Sequence, residues 1–152
     1  MNDTFYHKIL AKCLIRRYPK MVNDIYLSDE FYGQSCLHLA IINEDPSTVK
    51  MLLDNKADIH QRCLGKFFYP NDQKNKLKDS KTSEEPILPL KTNYFGYFYY
   101  GEYPLSFAAV LNQEESMRLL LAYGADPNKQ DSNGNTVLHM VVIGNNMVYS
   151  MI

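Results

Sequence analysis

With 152 residues and 16 Lys plus Arg against 17 Asp plus Glu, the chain is sized for one domain and lacks the basic excess of a nucleic-acid or anionic-membrane binder. Its 45% apolar and 22% charged residues exclude bulk disorder. Three scattered cysteines, Cys13, Cys36 and Cys63, form neither a CxxC metal pair nor an even disulfide set, which points to a reducing compartment. No apolar run approaches the roughly 18 to 20 residues that cross a bilayer, and the N-terminus lacks the regions of a signal peptide, so a soluble, intracellular chain is expected.

A repeated phrase sets the order of the elements. GQSCLHLAI from Gly33, GEYPLSFAA from Gly101 and GNTVLHMVV from Gly134 align, with spacings of 68 and 33 residues. The period is therefore 33, broken once by an insertion of 35. Leu52 and Leu120, Ala57 and Ala125, and Asp58 and Asp126 keep the same phase, which places the insertion after Asp58 in a connecting loop. A period of this length marks a solenoid of stacked helix pairs.

In chain order, residues 5–32 read as the end of a repeat, with ILAKCLIRRYPKMVND supplying a second helix and exit loop and little room for a first helix. Lys12, Arg16, Arg17 and Lys20 there form a solvated basic face, or one that meets an anionic groove. Residues 33–59 form a repeat. Leu37, Leu39, Ala40 and Ile41 line its first helix; Pro46 opens its second, with Val49, Met51, Leu52 and Leu53 as the buried stripe. Residues 60–100 are the insertion, and 101–133 repeat the pattern through Leu105, Phe107, Ala108 and Ala109, then Met117, Leu119, Leu120 and Leu121. Gly124 suits a left-handed C-cap where the first repeat has Lys56. Residues 134–152 begin a further, truncated repeat, with a stripe at Val137, Val141 and Val142 expected to be exposed.

The structural motif positions are Gly33 and His38, Gly101 and Pro104, and Gly134 and His139. Ser35 and Thr136 suit a helix start, each histidine can bind neighbouring turns through both ring nitrogens, and Cys36 falls in a turn expected to be buried. The insertion carries a polar middle between aromatic flanks. Phe67 and Phe68 stand on one side; Tyr94, Tyr97, Tyr99 and Tyr100 lie in a run on the other. Rings at this density either pack a finger onto the solenoid or wait for a partner, and the partner surface is the favoured reading.

The phrases CLHLA, YPLSFAA and VLHMVV, closed by ADIH and ADPN, resemble the ankyrin repeat. The fold expected is an all-α ankyrin-repeat solenoid with one long aromatic-rich finger loop. Over residues 18 to 143 the strings YGQSCLHLAI, RCLGKFF, YYGEYPLSFAA and DSNGNTVLHMVV resemble the cytosolic ankyrin domain of vanilloid-type transient receptor potential cation channels. NEDPSTVKMLLD and RCLGKFFYPNDQK are most similar to the invertebrate Nanchung-like branch of that family.

The resemblance implies a cytoplasmic part of a calcium-permeable channel in the cell or ciliary membrane, whose spans lie outside this chain. It implies that the finger touches a neighbouring subunit of a homo- or heterotetramer, and that calmodulin or ATP can meet the concave face. Gln34 matches one ATP-contact position, with Phe31 or Tyr32 at the aromatic one; Ile42 stands where an acid is expected and no Gly-rich phosphate loop is present, so no cofactor is expected. His7, His38, His60 and His139 lack metal-ligand spacing, Cys13 and Cys63 are oxidisable without an evident activating base, and no enzyme is expected. The alternative is a soluble ankyrin adaptor that binds a protein on its concave face.

Overall fold

Pro46 and Pro104 each open a helix, where the missing N–H costs nothing and the fixed φ is already helical. The computed structural model describes residues 3–25, 33–63, 100–131 and 133–142, with side chains from Tyr6 onward. It contains α1 (Asp3–Arg17), a 3-10 helix (Pro19–Asn23), α2 (Cys36–Ile42), α3 (Pro46–Asp54), α4 (Pro104–Val110) and α5 (Glu114–Ala122), and is helical again over 137–142. Among the described residues there is no strand, only an isolated antiparallel bridge between Ile25 and Ser35. None of their helices is long and apolar enough to cross a membrane.

The helices stack in two rows. α2 packs on α4 in one and α3 on α5 in the other, while α2–α3 and α4–α5 are the pairs within each unit. The core is built of Leu37, Ile41, Val49, Leu52, Leu53, Leu105, Phe107, Ala108 and Leu120. Ala108, fully buried without a long side chain, lets α4 come close to its neighbours.

Each pair turns through a left-handed residue. Glu44 (φ 51°) and Asn112 (φ 54°) occupy the same place between first and second helices. The second helices are capped differently. Asp45 accepts from the Thr48 N–H (3.1 Å) and hydroxyl (2.7 Å), and Lys8 of α1 lies 3.0 Å from its carboxylate. Burial alone would raise the Asp45 carboxyl, but donors from Thr48, Lys8 and Ser47 hold it down to about 2. Its counterpart Gln113 instead sends its amide N–H to the Ile41 carbonyl, stitching the second unit to the first.

The second helices end at Lys56 (φ 68°) and Gly124 (φ 96°). A left-handed lysine carries a Cβ penalty that glycine avoids. Lys56→Gly is therefore expected to raise the unfolding free energy by about 1 kcal/mol, read as a higher urea midpoint with unchanged slope.

The exit loops form a ladder. The Asn23 side-chain oxygen accepts the Asp58 N–H (2.7 Å), and His60 Nε2 accepts the Asp126 N–H (3.0 Å). Asp58 and Asp126 in turn cap the amides of His60 and Asn128, each at 2.9 Å.

Three expectations need correction. Cys36 is exposed at the first turn of α2 and not buried, because it faces away from α4. Leu121 is 46% exposed although its counterpart Leu53 is buried; the second unit covers Leu53, and nothing described covers Leu121. In 137–142, Val141 and Val142 are exposed as expected, but Val137 is partly buried against the core, and Leu138, at 69%, is the most exposed of the large apolar residues there. The body of the insertion, 64–99, lies outside the described residues.

Candidate functional site: the junction at the root of the insertion

Gly33, Gly101 and Gly134 lie at φ 69°, 82° and 81°, opening each unit with the same left-handed bend. At Gly101 a side chain is also excluded sterically, since a Cβ would fall 2.6 Å from that of Ser106. The bend puts the next residue, Gln34, Glu102 or Asn135, at the start of the turn into the first helix.

His38 is fully buried one turn into α2. Its Nε2 lies 3.1 Å from the Glu102 carbonyl, and its Nδ1 lies 3.2 Å from the Ser35 N and 2.9 Å from the Ser35 hydroxyl. A carbonyl only accepts, so Nε2 carries the proton and Nδ1 accepts from Ser35. Burial lowers the His38 pKa to about 4, against the pull of the Glu102 carbonyl bond in the other direction. In the second unit Ser106 takes the imidazole's place and is buried. His139 repeats the local pattern, with Nδ1 3.2 Å from the Thr136 N and 2.8 Å from its hydroxyl, but is exposed. Pro104 is buried at the head of α4 beside Tyr103, whose ring carries Lys129 Nζ at 5.7 Å.

Glu102 joins three segments. Its side chain is fully buried and paired with the Arg62 guanidinium. Its carbonyl accepts both the His38 proton and the Cys63 N–H (3.0 Å). The two roots of the insertion, Arg62-Cys63 and Tyr100 to Glu102, are thus clamped side by side on the interface between units. The Tyr100 ring sits 5.6 Å from Phe107, which meets His38 edge-on at 4.8 Å.

The structure therefore places Tyr100 half-buried on the core. Phe67, Phe68, Tyr94, Tyr97 and Tyr99 lie outside the described residues, as do Phe31 and Tyr32. Gln34 is only 6% exposed, and its side-chain oxygen has no hydrogen-bond partner among the described residues. By register it corresponds to Glu102, with Ile25 in the place of Arg62, so an ion pair in the second unit becomes an amide beside an alkyl chain in the first. Cys63 is buried; burial, then the nearby Glu102 carboxylate, push its thiol well up, which removes the thiolate that oxidation needs. The ion pair between buried Glu102 and the part-exposed Arg62 was missed by sequence reasoning, although a charged residue at the buried register of Gln34 was its signal. Among the described residues, no group of three or more His, Cys, Asp or Glu is placed to hold a metal.

Two grooves flank the stack. One of about 320 Å³ lies between α1 and the α2–α3 pair, lined by Leu14, Met21, Cys36, Leu39 and Asn43 among others. Another of about 390 Å³ is lined by Leu53, Asp54, Lys56, Ala57, Ile59 and Tyr123 where the outer helices end.

The repeat phase, left-handed bends and loop ladder define an ankyrin-repeat protein, and family profiles agree: "Ankyrin repeat" matches residues 32–64 and "Ankyrin repeats (many copies)" matches 105–152. The chain belongs to the ankyrin-repeat proteins. Its curated relatives are cation channel subunits. It is 35% identical over 140 residues, 92% of its length, to transient receptor potential cation channel subfamily V member 5 of Rattus norvegicus. It is 34% identical over 126 residues, 81% of its length, to subfamily V member 4 of Homo sapiens, and 35% identical over 126 residues to subfamily V member 1 of Canis lupus familiaris. The chain spans only 12–16% of the length of these relatives.

Proposed function

We propose that the chain is part of the N-terminal cytosolic ankyrin domain of a vanilloid-type, calcium-permeable cation channel subunit of the Nanchung-like branch. Its work there is non-catalytic. It docks neighbouring subunits of a homo- or heterotetramer, and protein partners such as calmodulin, at the cytoplasmic side of the membrane. The observation that carries this reading is the extent of the likeness. An alignment covering 140 of 152 residues crosses most of the insertion between the two repeat matches, a segment that a generic ankyrin repeat lacks.

The mechanism follows from the roots. Arg62, Cys63 and Tyr100 are fastened to the interface between units, so a partner gripping the aromatic arm is held at a set position on a stiff stack. Tyr97 and Tyr99 are the rings assigned to contact, while Tyr100 is kept for packing. In the full-length subunit, serine at Tyr97 and Tyr99 is expected to reduce subunit cross-linking several-fold while limited proteolysis of the repeats stays the same. Cross-linking at the wild-type level would refute the assembly role.

A further inference from the structure

Neighbouring exit loops are latched by two different chemistries. Asn23, His60 and Asn128 hold the same place in successive loops. Between the first two loops the latch is an amide: the Asn23 side-chain oxygen accepts the Asp58 N–H (2.7 Å), and its amino group donates to the Lys56 carbonyl (3.2 Å). Between the next two it is an imidazole, with His60 Nε2 accepting the Asp126 N–H (3.0 Å). An amide oxygen accepts at any ordinary pH. An imidazole nitrogen accepts only while it carries no proton, because a protonated ring has two donors and no acceptor.

The surroundings of His60 decide what a proton does there. The ring is half-buried, so solvent protons reach it. Its own stretch of chain carries Asp54, Lys56, Asp58 and Arg62; the loop before it carries Asp24, and the helix end and loop that follow carry Tyr123, Asp126 and Lys129. Asp54 is taken by Lys50 (2.7 Å), and Arg62 is paired with Glu102. The Asp58 and Asp126 carboxylates cap the amides of His60 and Asn128, each at 2.9 Å, and retain lone pairs for a further donor. A proton on Nε2 thus sets donor against donor at the Asp126 N–H, and the cationic ring is drawn to the two carboxylates instead.

We propose that His60 is a proton-sensitive latch between the units 33–59 and 101–133. Neutral, it holds the second exit loop to the first; charged, it releases that loop while the Asn23 latch stays shut. The rung is complete at the alkaline end and is lost as pH falls through about 8 to 5, the range in which histidine ordinarily changes charge. His60 stands two residues before Arg62, so the rung that opens adjoins the clamp at the insertion root. The latch belongs to the stack itself and does not rest on the channel assignment.

The test is amide hydrogen exchange on the whole chain by NMR, with the ordinary pH dependence of exchange divided out. The Asp126 amide should lose several-fold to about tenfold of its protection across that range, the weight of one hydrogen bond, in step with the titration of the His60 ring. The Asp58 amide, latched by Asn23, is the internal control and should hold steady. His60→Gln offers a carbonyl oxygen in place of Nε2, and His60→Asn restores the residue of the other loops; in either variant the Asp126 amide should become as insensitive to pH as Asp58. Using both keeps the test open if one substitution unsettles the fold. Equal behaviour of the two amides in the wild-type chain, including a loss shared by both through loosening at His38, or a pH-dependent Asp126 amide in a folded variant, would overturn the proposal.

Discussion

Replacing Phe107 with alanine should lower the unfolding free energy by about 3 to 5 kcal/mol, the range for emptying an aromatic site in a tight core. Phe107 is fully buried in α4 and touches both sides of the junction, His38 of the preceding unit and Tyr100 at the insertion root. The alanines that follow it, Ala108 and Ala109, have no reach to fill the hole. A loss of that size is a large part of the roughly 5 to 15 kcal/mol that holds a domain together. Equilibrium urea titration at neutral pH should show the midpoint falling with the slope preserved. Phe107→Leu, nearer in volume, should recover more than half of the loss. A change below about 1 kcal/mol for the alanine variant would mean that the ring does not bridge the units as described.

Acid should loosen the same junction. The pKa of His38 is depressed from 6.5 to about 4, so the unfolded chain takes up a proton more readily than the folded one. The stabilisation is complete above pH 6.5 and is lost as pH falls from 6.5 through about 4. At 1.36 kcal/mol per unit, the loss is about 3 kcal/mol. Asp45, held down to about 2, loses its contribution in a lower window, from 3.8 downwards. The two effects therefore separate along the pH axis. Unfolding free energies measured between pH 7 and pH 4 should show a steep His38 slope, and His38→Gln should flatten it while starting from a lower plateau. A wild-type profile that is flat over this window would contradict the buried neutral imidazole.

Much of the fold was legible because a solenoid repeats its physics. Gly33, Gly101 and Gly134 recur where the backbone must bend left-handed, prolines mark two helix starts, and the second-helix stripes share the phase of Leu52 and Leu120. What failed to be legible depends on the neighbours of a helix and not on its own pattern. Leu53 and Leu121 read alike in sequence, yet among the described residues only the first has a following unit over it. Cys36 sits in a motif position but on the groove side of α2. The candidate site was legible in part: His38 and Tyr100 stood out by motif and composition. Arg62 and Glu102, 40 residues apart, meet only because the insertion closes on itself, and no local periodicity records a contact of that separation.

The clamp at Cys63 and Glu102 has a consequence for how such a stack tolerates change. The excursion departs and returns at points joined by one backbone hydrogen bond, so the pitch of the helices on either side is indifferent to how much chain lies between. Each doubling of that length costs only about 0.6 kcal/mol in closure entropy. The position is a natural splice point, where a peptide tag or a whole foreign module could be grafted and the repeats on both flanks would still find each other.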